Sequence, residues 1–140
     1  MIYKKVFVDS DILLDLFLKR EPFFIYSRSL LSDDIKEQVE FYTSSLIIAN
    51  FYYVISKDIN KVAAINSVKS LMNIVNVLSF DDRHINSAIE GQHIDFEDRI
   101  QYYIARQDNC ELIISRNIKH YKKFDIPVLT AEEFLRRILS

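Results

Sequence analysis

Glycine and proline are scarce in this sequence of 140 residues, which contains one glycine, Gly91, and two prolines, Pro22 and Pro127. Glycine-rich loops form the phosphate cradle of P-loop and dinucleotide-binding proteins, so the sequence excludes both of these motifs. So few breaking residues also predict many helices joined by short connections. The sequence has no repeat, low-complexity stretch or linker, and we therefore expect a single domain over residues 1–140.

Cysteine is nearly absent as well. The one cysteine, Cys110, cannot form a disulfide within the chain, which favours a reducing, cytoplasmic compartment. No apolar run approaches the length that crosses a bilayer, and the first residues are not typical of a signal peptide, so we expect no membrane partner. The three histidines stand in unrelated contexts, and neither zinc-ligand spacing nor a nucleophile elbow occurs. Hydrolysis assisted by a metal ion bound to carboxylates is the catalytic chemistry that remains.

Charge is unevenly distributed along the chain, although the net charge is only −2. Such a balance argues against binding nucleic acid by bulk charge alone. Residues 81–98 contain six acids and one lysine or arginine, whereas residues 99–123 contain six bases and two acids. This pattern suits a metal site beside a phosphate-binding surface, and solvated helix faces of opposite charge explain it about as well.

Short apolar segments alternate with helical patterns. The predicted strands are 3–8, 41–44, 75–78, 112–115 and 127–129. The predicted helices follow residue 9 and cover about 23–32, 45–57, 61–72, 81–91, 96–107 and the segment after 130. This alternation predicts a three-layer α/β/α sandwich around a mainly parallel sheet of about five short strands. In such folds, ligands bind at the carboxyl edge of the sheet.

Asp9 stands at this edge because it directly follows the apolar segment 6–8. A helix N-cap is the simpler role for such a residue. Ser10 and Asp11 are also available as caps, however, so we expect Asp9 to be free for another function. Asp11 is a further candidate metal ligand in the same turn.

The run Asp95, Phe96, Glu97, Asp98 begins the long helix of the second half. Asp95 as N-cap, with Asp98 three residues later, is a pattern similar to a capping box. Capping does not explain why three acids crowd together, since their repulsion is costly unless a cation lies among them. Two to four carboxylates are enough for Mg²⁺, which takes oxygen ligands and retains several waters.

Ser115, Arg116 and Asn117 follow the fourth predicted strand, and Lys119 comes shortly after. Their neutral oxygens and cationic groups are suited to a metal site and to substrate phosphates, and the aromatic residues that follow could stack on bases. For Tyr121 and Phe124, burial in the core is the better interpretation.

Together these residues resemble the PIN-domain family. The opening segment VFVDSDILLDLFLKREPF is similar to the start of a PIN domain, and IDFEDRIQYYIARQDNCELIISRNIKHYKKFDIPVLTAEEFL is similar to the second half of bacterial members. The resemblance implies that Asp9 and Asp98 ligate Mg²⁺ or Mn²⁺ and that Asp15 is the family's helical aspartate. Asp95 and Asp11 are second-rank ligands. Ser115 and Asn117 match the polar element at the strand end.

The sequence also departs from the family pattern. Asn50 stands where a glutamate is usual, Asn117 replaces an aspartate, and His120 occupies a position where an acid is often found. We assign Asn50 and Asn117 as polar catalytic supports. The residues expected near the substrate are Ser10, Ser115, Arg116 and Lys119.

The resemblance implies a metal-dependent endoribonuclease that acts on RNA, in many small bacterial members as a toxin held inactive by an antitoxin protein. A catalytically weak or silent fold that binds RNA or protein is the alternative, and Asn50 favours it. The aromatic content also suits a homodimer.

Overall fold

The computed structural model describes residues 3–91 and 96–139, which form alternating strands and helices. The elements are β1 (Lys5–Val8), α1 (Ser10–Phe17), α2 (Phe24–Leu30), α3 (Asp33–Lys36), β2 (Glu40–Ser44), α4 (Ser45–Asp58), α5 (Lys61–Met72), β3 (Asn76–Leu78), α6 (Asp82–Glu90), α7 (Phe96–Gln107), β4 (Leu112–Ile114), α8 (Ile118–Tyr121), β5 (Val128–Leu129) and α9 (Ala131–Leu139). Among the described helices, none is long and apolar enough to cross a membrane.

The strands form one parallel sheet in the order β3-β2-β1-β4-β5. β1 is central, and its Val6, Phe7 and Val8 are all 0% exposed. Successive side chains of a strand point to opposite faces, so both faces of the sheet are covered by helices. The predicted α/β sandwich with a parallel sheet is therefore confirmed.

The helices pack in two groups. One contains α1, α2, α4, α5 and α9, and the other contains α6, α7 and α8. The predicted bounds of α5 are correct, but most of its periodic apolar residues are exposed: Val62, Ile65 and Met72 face solvent, while Leu71 is buried. The main partner of α5 is α4, so only a narrow stripe of the helix is covered.

Two strand-to-helix junctions border the site, and the helix cap at the first differs from the one expected. Asp9 itself is the N-cap of α1, and its Oδ1 accepts a hydrogen bond from the Ser10 backbone N–H at 2.8 Å. The expectation that Asp9 is free of capping was therefore wrong. Ser44 is the N-cap of α4, because its Oγ accepts from the Ile47 N–H at 3.1 Å. Ser44 is the last residue of β2 and Asp9 directly follows β1, so in both cases the N-cap joins strand and helix without a connecting loop.

Candidate active site

A polar cleft of about 430 Å³ lies at the carboxyl edge of the sheet. It is lined by Asp9, Ser10, Ile47, Asn50, Phe96, Glu97, Asp98, Gln101, Asn117 and His120. We call it the acidic cleft. The topology explains it: β1 and β4 are neighbours, so the residues that follow them meet at one edge, and α4 and α7 supply the remaining walls. The cleft thus brings together the four residues predicted as catalytic, Asp9, Asn50, Asp98 and Asn117.

Asp9 is held rigidly at the base of the acidic cleft. Its Oδ2 accepts hydrogen bonds from the Ser115 hydroxyl at 2.8 Å and from the Tyr121 hydroxyl at 3.2 Å. Burial raises the pKa of this carboxyl, and the hydrogen bonds from Ser115, Ser10 and Tyr121 partly oppose that shift. Ser115 in turn accepts from the Asn117 N–H at 2.9 Å, so it also fixes the turn that carries Asn117. Ser115 is fully buried behind Asp9.

Asp98 lies on the first turn of α7, on the opposite wall. Its Oδ2 is 3.1 Å from Nδ1 of His120, and the side chains are 23% and 51% exposed, respectively. One turn further along α7, Gln101 accepts a hydrogen bond from the Ser44 hydroxyl at 2.7 Å. Since Ser44 caps α4, this buried bond ties the helix of Asp98 to the helix of Asn50.

Asp11 lies beside the acidic cleft and contacts it through Asn117. Its Oδ2 accepts from the Arg116 backbone N–H at 3.2 Å and from the Asn117 side-chain amide at 3.3 Å. Its Oδ1 is buried and has no hydrogen-bond partner among the described residues. Burial, reinforced by the nearby Asp9 carboxylate, raises the pKa of Asp11 to about 7. Asp95, the other second-rank ligand, lies outside the described residues.

Arg116 is engaged away from the acidic cleft. Its Nε and Nη2 donate to the two carboxylate oxygens of Asp15 at 2.8 and 3.0 Å, and Asp15 is 0% exposed. Burial raises the pKa of Asp15, while the hydrogen bonds and charge of Arg116 oppose the shift. Of the other residues expected near substrate, Ser10 lines the acidic cleft and Lys119 is exposed on α8.

Two residues of the site had not been assigned to it from the sequence. Gln101 lines the cleft, and Tyr121, which was expected in the core, binds Asp9. Glu97, noted in the sequence as part of the acidic run with Asp98, also lines the cleft. The bond of Tyr121 joins positions 112 residues apart, and no local pattern in a single sequence signals such a contact.

The donor set of the acidic cleft fits a hard divalent cation. Asp9, Asp98 and Glu97 supply carboxylate oxygens, and Asn50 and Asn117 supply amide oxygens. Within residues 3–91 and 96–139, no three histidine, cysteine or acidic side chains form a ready-made metal cluster. A cation with two carboxylate ligands that keeps most of its waters matches this arrangement, whereas a dehydrated zinc-type site does not.

Comparison with known proteins identifies the family. The family model of the PIN domain matches residues 5–119, which include every strand but β5 and every residue of the acidic cleft but His120. This chain belongs to the PIN-domain family. The PIN-domain assignment made from the opening and closing segments is therefore confirmed, and a divalent cation is the cofactor that PIN-domain ribonucleases generally use.

Individual relatives of this PIN domain support the assignment. The chain is 36% identical to ribonuclease VapC1 of Aquifex aeolicus over 139 residues, which cover 96% of this chain and 95% of the relative. Among solved structures, the sarcin–ricin loop-cleaving toxin VapC20 of Mycobacterium tuberculosis has a TM-score of 0.70 at 13% identity, covering 85% of this chain and 95% of that one. VapBC2 of Rickettsia felis, bound to a promoter DNA fragment, has a TM-score of 0.69 at 16% identity, covering 90% and 98%. At these identities the two structures establish the shared fold.

Proposed function

We propose that this PIN-domain protein is a metal-dependent endoribonuclease that hydrolyses RNA phosphodiester bonds and acts as the toxin of a toxin–antitoxin pair. The observation that carries the proposal is the meeting of Asp9 and Asp98 in one polar cleft at the carboxyl edge of the sheet. The identity to ribonuclease VapC1 over nearly the whole of both chains supports the reaction. The similarity to VapBC complexes supports an antitoxin as partner. A cytoplasmic location and a homodimer are parts of the same proposal.

The residues divide into those that hold the cation and those that hold the ligands in place. Asp9 and Asp98 would bind Mg²⁺ or Mn²⁺, with Asn50 and Asn117 as neutral polar supports. A bound cation lowers the pKa of its water and stabilises the charge that develops on the phosphate. Ser115 and Tyr121 keep the Asp9 carboxylate fixed through their hydrogen bonds, which limits reorganisation during the reaction.

Basic side chains near the cleft would contact the RNA backbone. Lys119 is exposed on α8, the same short helix that places His120 in the cleft wall. Ser10 lines the cleft, and Arg116 borders a neighbouring cavity that shares Asn117 with it. Phosphate contacts of this kind position the substrate without reading its sequence.

The direct test is cleavage of a mixed pool of labelled single-stranded RNAs in Mg²⁺, Mn²⁺ or EDTA. We expect cation-dependent cleavage that Asp98→Asn reduces roughly 100-fold or more, because the substitution removes a charged ligand. Asp58→Asn, at an exposed position at the end of α4, is the matched control and should cleave like the wild type. Equal activity of Asp98→Asn and wild type would refute the assignment of the cleft.

Asn50 favours a second candidate function, a catalytically silent PIN fold that binds RNA. Its side chain lines the cleft as a neutral amide, and fewer charged ligands weaken the binding of hard cations. Thermal unfolding in a titration with Mn²⁺ separates the two functions. A cation that binds the native state raises Tm by mass action. An unchanged Tm, with RNA bound and uncut, would favour the silent fold.

A further inference from the structure

A second cavity, of about 400 Å³, lies beside the acidic cleft and shares Asn117 with it. Its lining is Ile12, Asp15, Pro22, Phe23, Tyr26, Ser27, Arg116, Asn117, Thr130, Ala131 and Glu132. We call it the aromatic cavity. Its size is that of a small-molecule site, for which about 300–1,000 Å³ is typical. Of this lining, the mechanism proposed above uses only Arg116 and Asn117.

Two planar groups stand together in the lining of the aromatic cavity. The Arg116 guanidinium carbon lies 4.0 Å from the centroid of the Phe23 ring. Nε and Nη2 of Arg116 both donate to the buried Asp15. The guanidinium is therefore already held in place, and it loses little conformational entropy when a ligand contacts it. The Phe23 side chain is 37% exposed, and part of its ring is therefore available for stacking.

The aromatic cavity also contains polar groups that lack a full set of partners. Ser27 is 1% exposed, and its hydroxyl has no hydrogen-bond partner within the part of the chain that the structure describes. The exposed Asn117 amide borders the cavity as well. A purely aliphatic ligand would leave these groups unpaired, which is unfavourable in a closed site. A flat ligand with donors and acceptors on its edge would satisfy them.

We propose that the aromatic cavity binds one nucleobase of the RNA substrate, next to the phosphodiester bond that is cleaved in the acidic cleft. The proposal rests on the ribonuclease function proposed above. Unstacked RNA bases stack on aromatic rings and arginine planes, and their edges form hydrogen bonds with side chains. The shared Asn117 makes the two sites contiguous, so the base and the reacting phosphate belong to adjoining nucleotides. The cavity then gives the enzyme a preference at one position of its target.

An abasic scan tests this assignment. Short RNAs that carry one abasic nucleotide at successive positions are bound to the Asp98→Asn protein, which keeps the aromatic cavity and should not cut. We expect the dissociation constant to rise about ten-fold when the missing base is the one that enters the cavity, since stacking on an aromatic side chain is of this magnitude. In the same scan with the active enzyme, kcat/KM should fall at the same abasic position.

Two variants connect that position to the aromatic cavity. Phe23→Leu keeps apolar volume but removes the ring. It should bring the ratio of the dissociation constants for abasic and intact RNA close to one. Ser27→Ala should change which of the four bases is preferred at the same position. Tyr53→Leu is the control, since it removes an aromatic ring on α4 that is 59% exposed. It should keep the wild-type ratio of the two dissociation constants. A variant that is only destabilised would bind intact and abasic RNA more weakly by the same factor.

Each outcome decides between assignments. A wild-type ratio in Phe23→Leu together with an unchanged base preference in Ser27→Ala would overturn the nucleobase site. Loss of antitoxin binding in these variants, with base preference intact, would overturn it in favour of a protein-binding cavity. If the dissociation constant rises at one abasic position but the wild-type protein never cuts RNA, the nucleobase site is supported and the ribonuclease function is refuted.

Discussion

The two walls of the acidic cleft are built very differently. On the strand side, Asp9 is 7% exposed and accepts hydrogen bonds from Ser115 and Tyr121 as well as the Ser10 backbone. On the helix side, the Asp98 side chain is 23% exposed and its partner His120 is half-exposed. The same residue type is therefore buried and held by three hydrogen bonds on one wall, and partly exposed on the other. Substitutions on the strand side should change the stability of the whole domain, whereas those on the helix side should change chemistry alone.

The largest effect on stability should come from Arg116→Leu, on the strand side. This substitution leaves the Asp15 carboxylate, 0% exposed, buried without its ion-pair partner. Breaking a fully buried pair costs about 3–5 kcal/mol of unfolding free energy. Because the Arg116 side chain is 30% exposed, we expect a loss at the lower end of that range. Urea unfolding monitored by circular dichroism measures the loss.

Arg83→Leu is the matched control for Arg116→Leu. Arg83 also pairs with an aspartate, Asp81, but the two side chains are 73% and 45% exposed. A solvated pair contributes little to stability, so the loss in Arg83→Leu should be far smaller than that in Arg116→Leu. Equal losses in the two variants would contradict the structural role of the Asp15–Arg116 pair.

A smaller contrast is expected between the partners of Asp9 and Asp98, the two aspartates of the acidic cleft. Ser115→Ala removes a buried donor to Asp9 and should lower the free energy of unfolding by about 1.5–3 kcal/mol, as for hydrogen bonds to charged groups. His120→Gln alters an exposed partner of Asp98 and should stay within about 0.5 kcal/mol of the wild type. Thermal and urea unfolding of both variants in EDTA make the comparison. A larger loss for His120→Gln would reverse the ranking of the two walls.

The ends of the strands explain why so much of the fold was predictable. Segments such as 6–8 and 112–114 are uniformly apolar, which is the pattern of strands buried on both faces. Parallel strands place their carboxyl ends together, so Asp9 and Asn117 could be expected at one edge of the sheet before any coordinates were known. These features depend on local pattern and on the chirality and order of the connections.

Features that depend on distant contacts could not be predicted. Asp15 and Arg116 are 101 residues apart, and their ion pair follows from how α1 packs beside the segment after β4. The exposed apolar residues of α5, such as Val62, have the same origin, since periodicity predicts a helix and one apolar face but not the area that its neighbour covers. The cap at Asp9 was misassigned because Ser10 and Asp11 have about the same capping propensity as Asp9. The sequence alone therefore does not determine the residue at which α1 begins.

A modest gain in stability, opposite in sign to the losses above, is expected for Asp9→Asn in EDTA. Burial raises the pKa of Asp9 in the folded state above its ordinary value of 3.8, so the charged carboxylate is disfavoured by folding at neutral pH. Asparagine is a neutral isostere and an equally good N-cap. We therefore expect Asp9→Asn to be more stable than the wild type by about 1 kcal/mol at pH 7.5, and inactive, as is common when an active-site charge is removed.

The difference in stability between Asp9→Asn and the wild type should depend on pH. A carboxyl whose pKa is raised on folding binds more protons in the folded than in the unfolded state, so the wild type loses stability as pH rises above about 4. Asparagine does not titrate, and the stability advantage of Asp9→Asn should therefore grow from pH 4 upward and level off above the folded-state pKa. Asp58→Asn, which replaces a solvated aspartate, should show no such trend. If instead Asp9→Asn is less stable than the wild type across this range, the hydrogen bonds from Ser115 and Tyr121 outweigh the desolvation of the charge, and the strand side is stabilised by its carboxylate even without a cation.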